Sequence, residues 1–264
     1  MSRVHMFGYE IDALRMSEAV EQLFGWIDRS DGRCRYVITP NVDHTVMFQH
    51  NAGLRQAYAD AALVLADGMP VVAAARLLGR RLPERVAGSD LVPALFNAGQ
   101  ERGGLKVFLL GAAPGVADRA AARIARQWPA VCVVGTYSPP LGFEKYDDQS
   151  KEILTRIAAA RPDVLIVGLG APKQELWVHG HRHEIQARVT LCVGAAIDFL
   201  AGEKPRAPVW MRNTGLEWLH RLASEPKRLF RRYARDAWIF PQLFWREWTT
   251  GRLTAISGRA KPPV

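Results

Sequence analysis

The sequence predicts an α/β protein with a Rossmann-like, doubly wound, mostly parallel sheet, followed by a basic amphipathic helical C-terminal appendage. Three observations lead there. Short apolar runs recur along the chain, each closed by Gly, Asp, Asn or Pro. They alternate with longer segments of helical periodicity, as βα units do. Positive charge is concentrated in the last quarter of the chain. The expected division is an α/β body over 1–204 and an appendage over 205–264.

The first 30 residues read as a small strand–helix preface. The candidate core strands are YVIT (36–39), LVLA (63–66), KVFLL (106–110), VCVVG (131–135), VLIVG (164–168) and TLCVG (190–194). None alternates strictly between apolar and polar residues, which suits a parallel sheet covered on both faces. Helical segments are expected over 43–59, 69–78, 89–102, 115–128, 147–160 and 172–186. In the appendage, Leu229, Phe230, Tyr233, Ala237 and Phe240 are expected on one helical face and Arg228, Arg231, Arg232 and Arg235 on the other. Five of the eight tryptophans also lie there, and Arg with Trp on an amphipathic segment is the composition of an interfacial helix.

Composition bounds the function. The chain has 264 residues, is 48% hydrophobic and carries a net charge of +9. From Glu203 to Val264 there are thirteen Lys/Arg against five Asp/Glu, so nearly all the excess lies in the appendage. A basic tail on a near-neutral body points to an anionic partner: phosphate, nucleic acid or a membrane surface. The opening MSRVHMFGYE is charged where a signal peptide needs an apolar run, and no 18-residue apolar stretch occurs, so no transmembrane helix is expected. Cys34, Cys132 and Cys192 are odd in number and scattered. Cys132 and Cys192 read as buried strand residues in a reducing compartment.

In an open parallel sheet, ligands bind beyond the carboxyl ends of the strands. After the first core strand come Thr39, Pro40 and Asn41, a hydroxyl and an amide at the crevice, while Asp43 is expected to cap the next helix. After the second comes Asp67, followed by Gly68. A strand-end carboxylate there can act as a general base for a hydroxyl nucleophile, and an ordinary N-cap role weighs evenly against it. Arg85 lies in a loop before a helix start, where a guanidinium suits a phosphate. Gly111 opens a glycine-containing turn. Gly168 and Gly170 permit close backbone approach, and Gln174 and Glu175 open the following helix. Neither turn completes a G-x-G-x-x-G or a Walker motif, which argues against a dinucleotide oxidoreductase. Asp198 is a second crevice carboxylate, with a structural role equally open. No D-x-D occurs and the histidines lack zinc-ligand spacing, so neither a metal nor a cofactor is expected.

Several blocks occur in one order: TPN from Thr39, LADGM from Leu65, LPERVAGSD from Leu82, VGLGAPKQE from Val167, VGAAIDFLAG from Val193, RAPxW from Arg206 and GLEWLxRLxxEPxR from Gly215. Together, over about residues 5–245, they resemble the WecG/TagA/CpsF family (glycosyltransferase family 26). The resemblance implies an inverting, metal-independent transferase. It would move a hexose or N-acetylhexosamine from a UDP-sugar, of the UDP-N-acetylmannosamine type, to a polyprenyl-diphosphate-linked sugar in cell-surface polysaccharide synthesis. It implies Asp67 as catalytic base and Thr39, Asn41, Arg85 and Gln174 as substrate contacts. It implies arginines among Arg212, Arg221, Arg228 and Arg231 at the lipid diphosphate or the membrane. It also implies a cytoplasmic protein, peripheral on the inner face of the membrane, with homo-oligomers common. Gly111, Gly170 and Asp198 are expected near the substrate from their strand-end positions.

The residues distinguish no donor sugar, so UDP-glucose stays open beside UDP-N-acetylmannosamine, and a non-catalytic UDP-sugar-binding regulator is the rival of another class. Nucleic acid is disfavoured as partner of the tail, since the arginines lie opposite a Trp-rich apolar face and no nucleic-acid motif appears.

Overall fold

A computed structural model describes residues 2–29 and 32–257; the last residues of the expected appendage, 258–264, lie outside them. In chain order the elements begin with β1 (Arg3–Met6), β2 (Tyr9–Asp12), α1 (Met16–Ile27), β3 (Arg35–Ile38), α2 (Val42–Phe48) and α3 (Ala52–Ala59). Then follow β4 (Leu63–Val64), α4 (Met69–Leu77), α5 (Gly88–Glu101), β5 (Leu105–Gly111), α6 (Val116–Gln127), β6 (Val131–Tyr137) and α7 (Asp147–Ala160). The chain closes with β7 (Val164–Gly168), α8 (Lys173–His181), β8 (Val189–Cys192), α9 (Ala196–Ala201), α10 (Val209–Asn213), α11 (Glu217–Ser224) and α12 (Pro226–Ser257).

Six strands form one all-parallel sheet in the order β4-β3-β8-β7-β5-β6. Side chains leave each strand alternately to its two faces, and both faces are covered. Along β5, Phe108 and Leu110 enter one apolar core while Val107 and Leu109 enter the other. This double burial is why the strands read as unbroken apolar runs rather than alternating ones.

The structure departs from the sequence expectation in the extent of three segments and the burial of one cysteine, besides the tail and the α2 cap described below. The preface holds two strands, the antiparallel hairpin β1–β2, ahead of α1. The segment 43–59 is two helices, because Asn51 starts α3 anew, its side chain accepting from the Leu54 amide at 2.9 Å. Helix α8 stops at His181, short of residue 186. Cys132 is exposed because β6 is an edge strand, whereas Cys192, near the centre of the sheet, is buried.

β5 and β7 approach closely at their carboxyl ends. Gly111 has φ +114°, and a Cβ there would lie 2.6 Å from the Gly168 carbonyl carbon and oxygen. The strand pair closes only because that position has no side chain.

The basic tail docks on this body. Asp43 is nearly sequestered, and Arg232 and Arg235 of α12 reach its carboxylate at 2.7 and 2.6 Å. Leu243 is buried on the same side, and Phe240 packs its ring 5.3 Å from that of Phe7. The expected partition of α12 is therefore corrected. Leu229, Arg232, Asp236 and Leu243, at helical spacing, turn inward, while Phe230 and Ala237 are exposed. Arg232 and Arg235 belong to an ion-pair cluster with Asp43, not to an outward cationic stripe. Asp43 itself does not cap α2; Asn41 does, accepting from the His44 amide at 3.2 Å.

Two outcomes are expected. Gly111→Ala should lower unfolding stability by about 2–5 kcal/mol, from overpacking plus positive-φ strain, read by chemical denaturation. Asp43→Asn should lower it by about 2 kcal/mol, below the ~3–5 kcal/mol of a fully buried pair because both arginines keep solvent contact. Protease cleavage within α12 should then appear before global unfolding.

Candidate active site

The carboxyl ends of β4, β3 and β8, three neighbouring strands, open into a cavity of about 450 Å³. The body supplies Asn41 after β3, Asp67 and Gly68 after β4, and Val193 and Ala195 after β8. The appendage supplies the opposite wall with Arg212, Glu217, Trp218, Arg221, Arg232, Tyr233 and Phe240. Most of this lining is apolar, and four carboxylic side chains, Asp43, Asp67, Glu217 and Asp236, share it with arginines.

Those acids are not equivalent. Asp43 holds Arg232 and Arg235, Asp236 accepts from Arg235, and Glu217 accepts from Arg85 at 3.0 Å. Among the described residues, only Asp67 of the four has a side chain that accepts no hydrogen bond; its nearest cation, Arg85 Nη1, stands 3.8 Å from Oδ1. Nor does Asp67 cap the next helix, since Gly68 occupies the N-cap of α4. Its backbone is fixed instead, the amide donating to Pro40 O at 2.9 Å, which ties the β4 end to the β3 end. Its side chain is 29% exposed, yet the surrounding walls desolvate it enough to lift its pKa to about 7. Arg85 and Arg221 oppose that rise, and Glu217 and Asp90 add to it. A carboxyl group balanced near neutrality, with unoccupied acceptor positions facing a cavity, can take a proton from a bound hydroxyl. Asp236 is also raised, to about 6, first by burial and then by Asp43, but it is committed to Arg235.

The other sequence-derived candidates separate into two groups. Asn41 and Arg85 line the cavity with Asp67. Thr39 is buried beside it, its hydroxyl donating to Cys192 O at 3.2 Å, so it braces β3 against β8. Gly111 ends β5 and Gly170 follows β7, on the adjoining half of the sheet edge. Gln174 is buried between the β7 and β8 ends. Its Nε2 donates to Glu175 at 2.7 Å and its Oε1 accepts from the Gly194 amide at 3.2 Å. Glu175 is fully buried, and burial raises its pKa to about 7. Asp198, in the first turn of α9, lies 3.9 Å from Lys204, and partial burial raises its pKa.

Of the appendage arginines, Arg212 and Arg221 reach the cavity. Arg212 donates to Asp90 at 2.9 Å, whereas the Arg221 guanidinium has no hydrogen-bond or ion-pair partner among the described residues. Arg228 pairs with Glu225 outside the cavity, and Arg231 is exposed. Sequence reasoning missed Glu217, Trp218, Arg232 and Tyr233 as lining residues. Glu217 carried a signal, an acid beside Trp in a strongly basic segment. Trp218 read only as one of the tail tryptophans, and Arg232 and Tyr233 as parts of an amphipathic helix, so they gave none. Among the described residues, no three His, Cys, Asp or Glu side chains gather as a metal site, and no helix is long and apolar enough to cross a membrane.

This arrangement has relatives. A protein of Bacillus spizizenii named N-acetylglucosaminyldiphosphoundecaprenol N-acetyl-beta-D-mannosaminyltransferase is 30% identical over 203 residues, covering 77% of this chain and 76% of the relative. A Staphylococcus aureus protein of the same name is 28% identical over 234 residues, covering 87% of this chain and 88% of its own. Residues 4–254 match the glycosyl transferase WecG/TagA/CpsF family. With the strand-end carboxylate and the appendage-walled cavity falling inside that match, the chain belongs to the WecG/TagA/CpsF family of glycosyltransferases.

Proposed function

We propose that the cavity transfers an N-acetylhexosamine of the N-acetylmannosamine type from a UDP-sugar to an N-acetylglucosamine unit carried on polyprenyl diphosphate, in cell-wall or surface polysaccharide synthesis. The observation that carries this reading is Asp67, the one lining carboxylate whose side chain is left without a hydrogen bond among the described residues. The names of the two relatives support the sugar and the lipid-linked acceptor.

In this mechanism Asp67 accepts the proton of the acceptor hydroxyl as that oxygen attacks the anomeric carbon. The bond from that carbon to UDP breaks on the opposite face, so the configuration inverts through an oxocarbenium-like transition state. The departing diphosphate carries the negative charge, and Arg85, Arg212 and Arg221 are the cations at hand to receive it without a metal. Asn41 orients sugar hydroxyls, and Thr39 and Gln174 hold the strand ends that present it. We assign the nucleotide to the adjoining edge beyond β5 and β7, at Gly111 and Gly170, with Asp198 at its border.

The lipid acceptor requires a membrane surface, and the appendage offers one. Trp210, Phe230, Trp238 and Trp245 are each at least 60% exposed, and Arg228 and Arg231 lie among them in sequence. Exposed aromatics and cations together suit the interface of an anionic leaflet, each near-surface Lys or Arg adding about 1 kcal/mol. We place the protein peripherally on the inner face of the cell membrane.

Asp67→Asn should lower turnover at least ~10²-fold while leaving UDP binding nearly unchanged, since general base catalysis contributes about 10²–10⁴-fold. A donor panel of UDP-sugars assayed with a prenyl-diphosphate-linked N-acetylglucosamine checks it, and near-full turnover by the variant removes Asp67 as base. In the parent enzyme the base must be ionised. Activity should therefore rise with pH through about 7 and level off above it, and fall as the carboxyl group protonates below. The triple variant Phe230→Ser, Trp238→Ser, Trp245→Ser changes exposed side chains only, and it should lose most co-sedimentation with anionic vesicles while keeping its folded structure.

A further inference from the structure

Arg85 is contested by three carboxylates. Its Nη2 donates to Asp90 Oδ2 at 2.7 Å. Its Nη1 faces two acids at once: it donates to Glu217 Oε2 at 3.0 Å and stands 3.8 Å from Asp67 Oδ1. Asp90 belongs to α5 of the body, and its other oxygen is taken by Arg206 and Arg212 at 2.8 and 2.9 Å. Glu217 is the first residue of α11 and so belongs to the appendage. The acid that wins the contested nitrogen is thus supplied by the tail.

The outcome of that contest matters for a base. A carboxylate in a direct hydrogen-bonded pair with a guanidinium is held ionised and gives up much of its capacity to accept a proton. Closing the 3.8 Å separation to a hydrogen bond takes a shift of about 1 Å in a flexible side chain. Arg85 Nη1 already leans toward the residue, with the Asp67 carbonyl oxygen at 3.5 Å. Asp90 anchors the other nitrogen, and Glu217 is the acid that pulls Nη1 itself away from the Asp67 carboxylate. The charged groups that bear on Asp67 are Arg85 from the loop before α5, Asp90 from α5, and Glu217 and Arg221 from α11.

We infer that Glu217 is a positioning residue for the transfer reaction: it draws the Arg85 guanidinium away from the Asp67 carboxylate, so that docking of the appendage leaves Asp67 able to accept a proton. The inference rests on the reading of Asp67 as the base. It makes the appendage a chemical part of the site as well as its wall. With Glu217 in place, the same arginine stays beside the cavity as a cation for diphosphate and does not quench the base.

The test compares the full-length protein with Glu217→Gln and Glu217→Ala. Gln keeps the shape and a weak acceptor for Arg85 but loses the charge; Ala loses both. In each, the ionisation midpoint of Asp67 is read directly by carboxyl carbon NMR without substrate, using Asp67→Asn to assign the signal. The pH dependence of turnover is measured in parallel. The expected result is a midpoint moved to lower pH, more in Ala than in Gln. The acid limb of turnover should move to lower pH with it, and the plateau turnover should fall by about tenfold, the scale on which weakening a general base acts. Glu217→Asp, charged but one methylene shorter, should restore the midpoint part of the way. An unmoved midpoint in folded Gln and Ala variants overturns the inference, whatever happens to turnover. Should Asp67→Asn prove fully active while the Glu217 variants still shift the midpoint, the base reading fails and the electrostatic coupling stands, so the two failures are separable.

Discussion

Two carboxylates of the body, Asp43 and Asp90, hold down a tail that is otherwise strongly self-repelling. Asp43 takes Arg232 and Arg235, and Asp90 takes Arg206 and Arg212 together with Arg85. Each anion gathers several guanidiniums, which is favourable only where the charges are partly removed from water and bonded in good geometry. Apolar burial of Leu229, Leu243 and part of Phe240 adds to the attachment, as do the Arg85–Glu217 and Arg80–Glu247 pairs. The cavity depends on this docking, because one of its walls exists only while α10–α12 lie against the ends of β4, β3 and β8.

The same docking sets the electrostatics inside. In the proposed reaction arginine is needed near the departing diphosphate, yet arginine beside the proposed base would spoil it. The site meets both demands by holding nearly every cation on a carboxylate other than Asp67, one anion often serving several. Arg212 has Asp90, Arg232 has Asp43, and Arg85 has Asp90 and Glu217. Desolvation then dominates at Asp67 and lifts its pKa, where an unshared arginine at contact would have driven it down. Arg221, without a partner of its own among the described residues, is the cation best placed to meet an incoming anion.

The sheet was legible in the sequence because burial on both faces leaves a direct signature: six short apolar runs, each ending in a turn residue, coincide with β3 to β8. That Asp67 and Asn41 line one cavity was legible for a related reason, since strand ends of a parallel sheet converge on one edge; Arg85 was legible from its loop before a helix start. Long-range partners were not. Nothing near Asp43 distinguishes a helix-capping acid from one that binds arginines almost 190 residues later, so local capping rules favoured the wrong role. Gly111 read as a turn open to a ligand, and the further constraint on it, the close backbone of Gly168 on another strand, had no local mark. Cys132 carried the same apolar neighbours as Cys192, and only the strand order, which puts β6 at the edge, separates them. In α12 a helical wheel identified two faces but assigned Arg232 and Arg235 to the wrong one, because an arginine bound to a sequestered acid has no local mark.

The burial of Asp43 also divides α12 by its response to ionic strength. Its outward cations, Arg231 among them, act through solvent, where mobile ions at physiological concentration damp a charge within about 8 Å. The inward cations act on a carboxylate that is 5% exposed, and mobile ions reach that contact poorly. One helix therefore carries a salt-sensitive face and a salt-resistant one. Concentrated electrolyte should weaken the proposed attraction to an anionic surface more than the contacts that wall the cavity.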